Sequence, residues 1–176
     1  MIRVAITGPE STGKSTLSRQ LAEHYGTTWV PEYARVYLDE HGPHYTLADL
    51  EEIARGQLAA EEATAAGAHR VVFVDTDLLV IKIWAEHAFG QCPAWILQKL
   101  AEQHHDLTLL LNIDLPWEPD PLREHPHMRE YFYTLYQQEL QKLGIPFAEI
   151  SGSGEQRLAR ACALVDKLLA DSASSS

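Results

Sequence analysis

Residues 8–15 read Gly-Pro-Glu-Ser-Thr-Gly-Lys-Ser and fit the pattern G-x-x-x-x-G-K-[ST] at every fixed position. Gly8 and Gly13 let the backbone turn its amides inward with no Cβ in the way. The run before the loop, Ile2 to Thr7 (IRVAIT), is short and apolar and reads as a buried strand. The run after it, STLSRQLAEHYG, sets Leu17, Leu21, Ala22 and Tyr25 at helical spacing and stops at Gly26. Strand, glycine-rich loop and helix in that order make an anion site, because the helix points its positive end at the loop. Lys14 supplies a mobile charge for β- and γ-phosphates. Ser15 offers a hydroxyl to Mg²⁺, Thr16 one to a phosphate oxygen, and Glu10, Ser11 and Thr12 fill the loop. The motif specifies a nucleoside triphosphate and Mg²⁺, and leaves the reaction open.

Outward from the loop, strand-like runs alternate with helical ones. Thr27 to Val30, Arg70 to Asp75 (RVVFVD), Leu107 to Ile113 (LTLLLNI) and Pro146 to Ile150 are the further strands. Helices are expected over Glu32 to His41, from Thr46 to Gly67, over residues 78–88 and 93–105, and over Met128 to Leu143 and Glu155 to Ala170. Thr46 with Asp49 three residues on is a capping-box pattern. Several strands are continuous apolar runs, which suits a parallel sheet covered on both faces. The expected fold is therefore α/β, with five parallel strands; for a fold built on this phosphate loop the expected strand order is 2-3-1-4-5. A single domain is expected over residues 1–170. Within it, residues 114–128 carry Pro116, Pro119, Pro121 and Pro126 and read as a loop, expected to be a lid. The tail 171–176, DSASSS, is polar and small and is expected to be disordered.

The 176 residues carry 25 acidic and 14 basic side chains, a formal net charge of -11. A general nucleic-acid binder needs a basic face, so that class is excluded. No apolar run approaches the roughly 18 residues of a membrane helix, and the N-terminus enters a strand instead of a signal segment. Cys92 and Cys162 stand far apart, which suits a reducing cytoplasm. His104-His105 and His125-Pro126-His127 lack a metal-site partner pattern.

Asp75 and Asp77 follow the apolar run VVFV, and residues two apart on an extended segment share a face. Both are expected at the carboxyl end of the sheet, where ligands bind in open α/β folds. Asp75 falls at the Walker B position, beside Mg²⁺. Asp77 either holds substrate hydroxyls or caps the helix beginning at Leu78. Glu32, in PEYAR, can reach an acceptor hydroxyl or stabilise its own helix. Arg35, one turn on, pairs with Glu32 or with phosphate. Asp75 is the first choice for orienting an acceptor hydroxyl and Glu32 the second. Arg123 within the proline-rich segment and Arg129 just after it are expected at the transferring phosphates. Tyr33, Tyr37 and Trp117 either offer faces to a flat cationic ring or serve simple packing.

GPESTGKSTL, PEYAR, VFVDTD and PWEPDPLR, in that order over roughly residues 1–150, resemble the ribosylnicotinamide kinase domain of the NadR family. The resemblance implies a nucleoside-kinase-like fold with a lid, and ATP-dependent phosphorylation of the 5′-hydroxyl of nicotinamide riboside to the mononucleotide. It puts Lys14, Ser15 and Thr16 on ATP and Mg²⁺, Asp75 at the Walker B position and Arg123 in the lid. It suggests Glu32, Tyr33, Asp77 and Trp117 for the riboside. Where the family often has D-G-L-R, this chain has Asp120-Pro121-Leu122-Arg123, and Pro121 is expected to stiffen the lid. No H-x-G-H-type motif of an adenylyltransferase occurs, so synthesis of the dinucleotide is not expected. Two other readings stay open: a kinase of the same fold for another nucleoside or small metabolite, and a regulatory P-loop ATPase that signals to a partner.

Overall fold

Side chains along the central strands alternate between two faces, and helices cover both. The computed structural model describes residues 1–116 and 127–174. Its elements are β1 (Ile2–Thr7), α1 (Lys14–Tyr25), β2 (Trp29–Val30), α2 (Tyr33–His41), α3 (Leu47–Ala66), β3 (Val71–Asp75) and α4 (Leu78–Phe89), then α5 (Ala94–Glu102), β4 (Leu107–Leu111), α6 (Arg129–Leu143), β5 (Phe147–Ile150) and α7 (Gly154–Ser174). The strands pair in parallel in the order β2-β3-β1-β4-β5, as the sequence implies.

Val4, Ile6, Phe73, Leu109 and Leu111 face α1 and α7, where Leu17, Leu21, Ala161 and Val165 meet them. On the opposite face α2 to α6 enclose Leu50, Ile53, Leu78, Ile81, Ile96 and Leu140 around Leu110. Arg3, His105 and Glu61 form a buried polar cluster at the other end of the sheet. Glu61 Oε1 accepts from Arg3 at 3.0 Å and lies 3.0 Å from His105 Nε2. This cluster accounts for His105 structurally. Among the described residues no helix is long and apolar enough to cross a membrane.

Local signals act as expected at most ends. Thr46 and Asp49 form a reciprocal capping box at the start of α3. Gly26 and Gly144 end α1 and α6 in the left-handed conformation. α7 departs from the expectation, running to Ser174 and so taking in four residues of the stretch read as a disordered tail. Ala and Ser are tolerated helix formers there, and Ser174 Oγ donates back to the Ala170 carbonyl at 2.7 Å. Of the segment read as a lid, residues 117–126 lie outside the described residues, and with them Trp117 and Arg123.

The topology fixes where a ligand goes. β1 leads outward to β2 at one edge, while β3 leads back across β1 to β4 on the other side. Loops that leave neighbouring strands in opposite directions open a crevice at the carboxyl ends.

Candidate active site

The loop from Gly8 to Gly13 is held by special backbone geometry. Gly8 has φ 141° and Gly13 φ 85°. A Cβ on Gly8 would stand 3.0 Å from the Leu111 carbonyl oxygen and 3.4 Å from its nitrogen. Both are backbone atoms of a central strand and cannot yield. Gly8→Ala is therefore expected to cost about 2 kcal/mol, since a strained φ alone costs roughly 1–3 kcal/mol. A thermal melt should fall by roughly 4–8 °C; an unchanged midpoint would contradict this account of the glycine.

α1 opens with Gly13 as its cap residue, with no side-chain cap and no acidic residue in its first turn. A helix that opens in this way favours an anion at its N-terminus. Lys14 Nζ bends back onto the carbonyls of Gly8 (2.9 Å) and Pro9 (2.8 Å). Arg129, at the start of α6, donates from Nη1 to the carbonyls of Leu115 (2.8 Å) and Ser11 (3.3 Å). It is tied to the loop from outside and is absent from the walls of both site cavities described below.

Asp75 ends β3 and is only 2% exposed. Its Oδ2 accepts from Ser15 Oγ at 2.5 Å and its Oδ1 from Thr76 Oγ1 at 3.3 Å. Thr76 has φ 75°, which is costly for a β-branched residue. Its amide is anchored to the Ile6 carbonyl at 3.0 Å. This left-handed residue breaks the extended geometry on which a shared face for Asp75 and Asp77 depends. Asp75 turns to the phosphate loop. Asp77 turns inward, 2% exposed, and accepts from Thr7 Oγ1 at 3.2 Å while occupying the cap position of α4. Burial pushes the Asp77 carboxyl pKa up, and the His105 ring and the Thr7 hydroxyl offset part of that.

Two cavities meet at this end of the sheet. One, about 1130 Å³, runs from Glu10 to Leu17 along the loop and α1 and is closed by Gln20, Leu115, Pro116, Gly154 and Arg157. Ser11, Thr12, Gly13, Lys14, Ser15 and Thr16 all line it, as the motif implies. The other, about 760 Å³, starts at Gly8, Pro9 and Lys14 and runs between α2, α4 and α6. Glu10, Lys14, Glu32 and Arg35 line both, so they form the junction.

Glu32 precedes α2 at this junction. Burial pushes its carboxyl pKa up, the nearby Asp75 carboxylate pushes it further, and the charges of Lys14 and Arg35 act against both. Asp75 is raised too, first by burial, against the Ser15 hydrogen bond and the Lys14 charge. Glu32 therefore reaches the shared space, whereas Asp75 lies behind Ser15 and lines neither cavity. This reverses the order of preference drawn from sequence. With hard oxygens from Ser15 and Asp75 beside a phosphate loop, the donor set fits a Mg²⁺ ion that also takes phosphate oxygens and water.

The second cavity's aromatic wall is Trp84 and His87 of α4 with Phe132 and Tyr136 of α6. Trp84 is fixed by its indole N–H donating to the Tyr45 hydroxyl at 2.7 Å. His87 and Phe132 meet edge to face at 4.9 Å. Burial raises the Tyr136 pKa well above its ordinary value, and the charges of Asp77, Glu10 and Glu32 add to it, so its phenol stays neutral. Sequence reasoning missed these four. Their signal was the spacing Val80, Trp84, His87 and Phe132, Tyr136, which by itself reads as packing.

Tyr33 and Tyr37 line neither cavity. The face of α2 turned to the site is Ala34, Arg35 and Leu38. Tyr33 lies against Gly56 of α3, where a Cβ would come within 2.0 Å of its ring. Tyr37 donates its hydroxyl to Asp49 at 2.6 Å and stacks on His41 at 4.1 Å. Both serve the α2–α3 contact, because one residue's rotation around a helix is enough to leave the cavity face.

A family model described as an AAA domain matches residues 3–157. The trifunctional NAD biosynthesis/regulator protein NadR of Escherichia coli (strain K12) is 30% identical over 175 residues, covering 96% of this chain and 43% of that protein. The chain thus spans less than half the length of this curated relative. Among solved structures, a NadR protein in complex with NR superposes with a TM-score of 0.75 at 22% identity, over 94% of this chain and 51% of the other. A NadR protein in complex with NAD and AMP-PNP gives 0.69 at 24%, over 87% and 44%. Deoxyadenosine kinase from M. mycoides gives 0.64 at 12%, over 94% and 100%. The fold is that of the P-loop nucleoside kinases.

Proposed function

Because the chain belongs to the AAA-domain family of P-loop proteins, we propose that it transfers the γ-phosphoryl group of ATP to the 5′-hydroxyl of nicotinamide riboside. The observation that carries this reading is the second cavity. It opens onto Lys14 and Glu32 at one end and is walled by aromatic rings at the other. A regulatory ATPase needs no such acceptor space. The similarity to NadR proteins, solved with NR and with AMP-PNP, supports the same acceptor and donor.

ATP lies in the first cavity, its phosphates on the loop amides and Lys14. Ser15 and Asp75 would hold a Mg²⁺ ion beside the phosphates, where it would supply neutralisation of charge on the transferring group. The riboside lies in the second cavity with its 5′-hydroxyl at the junction. Glu32 orients that hydroxyl and takes its proton, a role for which a raised carboxyl pKa is suited. Arg35 adds positive charge beside it. Most of the rate enhancement comes from positioning and charge neutralisation.

The aromatic end favours a flat cation. Cation–ring stacking contributes roughly 0.5–2 kcal/mol, about two- to thirtyfold in binding. Nicotinamide riboside should therefore exceed nicotinic acid riboside and uridine in kcat/KM, compared in one buffer with ADP release as readout. Trp84→Ala should erase much of the advantage over uridine. Equal efficiency for uridine would indicate a general nucleoside kinase. ADP release independent of any acceptor would indicate an ATPase.

A further inference from the structure

Arg157, in the first turn of α7, is 3% exposed and is claimed by neither cavity's chemistry as described so far. Every nitrogen of its guanidinium is engaged. Nη1 donates to the Thr12 carbonyl of the phosphate loop. Nη2 donates to the Asn112 carbonyl at 2.8 Å and to the Asp114 carboxylate. Nε donates to the Gly152 carbonyl at 3.1 Å. Asp114 in turn accepts from the Gly152 amide at 2.6 Å. One buried fork thus joins the loops that follow β1, β4 and β5. A buried charge is tolerable only when so fully paired.

The bond to Thr12 has a directional consequence. The Thr12–Gly13 peptide is trans, so its carbonyl and the Gly13 N–H point in opposite directions. With the carbonyl held by Arg157, the Gly13 amide points away from the guanidinium. Gly13 itself sits at φ 85°, and a Cβ there would come within 3.4 Å of Arg157 Nη1, so the contact is close on both atoms. Arg157 also forms part of the wall of the first cavity, beside Gly154.

We propose that Arg157, fixed by Asp114, is a positioning residue that aims the Gly13 amide of the phosphate loop at the donor's phosphates and thereby sets affinity for the nucleoside triphosphate. The fork geometry matters here more than the charge, because four acceptors in three loops match a planar guanidinium and not a single ammonium. The proposal depends on nucleotide binding at the loop and not on the identity of the acceptor.

The test measures AMP-PNP binding by calorimetry, with Mg²⁺ present, for the parent chain, Arg157→Lys and Asp114→Asn, with riboside binding and circular dichroism alongside. Arg157→Lys keeps the charge and should raise the AMP-PNP Kd about tenfold, the scale of one charge-assisted hydrogen bond lost. Asp114→Asn should raise it severalfold. Riboside Kd should stay within twofold in both. If Arg157→Lys does not fold, Asp114→Asn carries the test alone, since its side chain is 36% exposed. An AMP-PNP Kd within twofold of the parent in a folded variant overturns the proposal. So does a parallel loss of riboside binding, which would mean general loosening. Because AMP-PNP binding needs no acceptor, a parent chain that binds it but phosphorylates no riboside would sink the acceptor assignment and leave this one standing. A parent that does not bind AMP-PNP would sink both.

Discussion

Lys14→Ala should abolish phosphoryl transfer and leave the fold intact. Lys14 Nζ donates to carbonyls of its own loop, and Lys14 is no part of the hydrophobic core, so its loss takes little packing away. Its charge is one of the terms that hold the Asp75 and Glu32 carboxyls down against burial. The larger effect falls on the transition state. In the proposed transfer the ammonium would exchange the Gly8 and Pro9 carbonyls for phosphate oxygens, where charge develops. Loss of one such donor costs roughly 10²–10³-fold in kcat, and a cation on a transferring phosphoryl group costs more. The melting midpoint should shift by only a few degrees, because about 1 kcal/mol corresponds to roughly 2–4 °C at this size. Steady-state ADP release and a thermal melt on the same preparation check both halves. Near-parental turnover in the folded variant would remove the loop from the chemistry.

Asp75→Asn should lower activity by a similar factor at any practical Mg²⁺ concentration, and yet not destabilise the ligand-free protein. The Asp75 carboxyl pKa is raised, chiefly by burial. A carboxyl whose folded pKa exceeds its unfolded value stabilises the fold below the unfolded pKa, and loses that contribution as pH rises through the folded value. Near neutral pH its ionised form therefore works against the ligand-free fold. Asparagine removes that charge and can still accept from Ser15 Oγ through its amide oxygen and donate to Thr76 Oγ1 through its amide nitrogen. The melting midpoint without nucleotide should be equal or higher at pH 7, with the gain shrinking toward acid. A clear loss of stability at pH 7 would mean that the carboxylate is structural and not functional. Asp77 offers the contrast: it faces Thr7 and lines neither cavity, so Asp77→Asn should leave riboside KM unchanged.

Part of this site is contiguous in sequence, and that part was legible. Gly8 to Ser15 form a loop whose geometry depends on its own residues and on the strand and helix that adjoin it. The apolar runs that flank it gave the parallel strands, and the kinase-like resemblance gave their order. The capping box at Thr46 and Asp49 and the glycine at the end of α1 were local in the same way. Glu32 and Asp75 were found as carboxylates at strand ends, but their order of approach to the acceptor was not.

What the chain decides locally is which atoms can bind phosphate: eight consecutive residues, a glycine at each turn and a helix to follow. What only tertiary packing decides is which faces remain open. Trp84, His87, Phe132 and Tyr136 carry the periodicity of ordinary core residues, and nothing in that periodicity distinguishes a ring packed on a neighbour from a ring facing a cavity between α4 and α6. Tyr33 and Tyr37 show the converse, being near the site in sequence yet turned to α3. The left-handed Thr76 reverses the direction of Asp77, and no propensity for threonine announces it. Arg157 reaches the phosphate loop across 145 residues of chain. A long-range contact of that kind is set by the closing of β1, β4 and β5 into one sheet, so it exists only once the fold does.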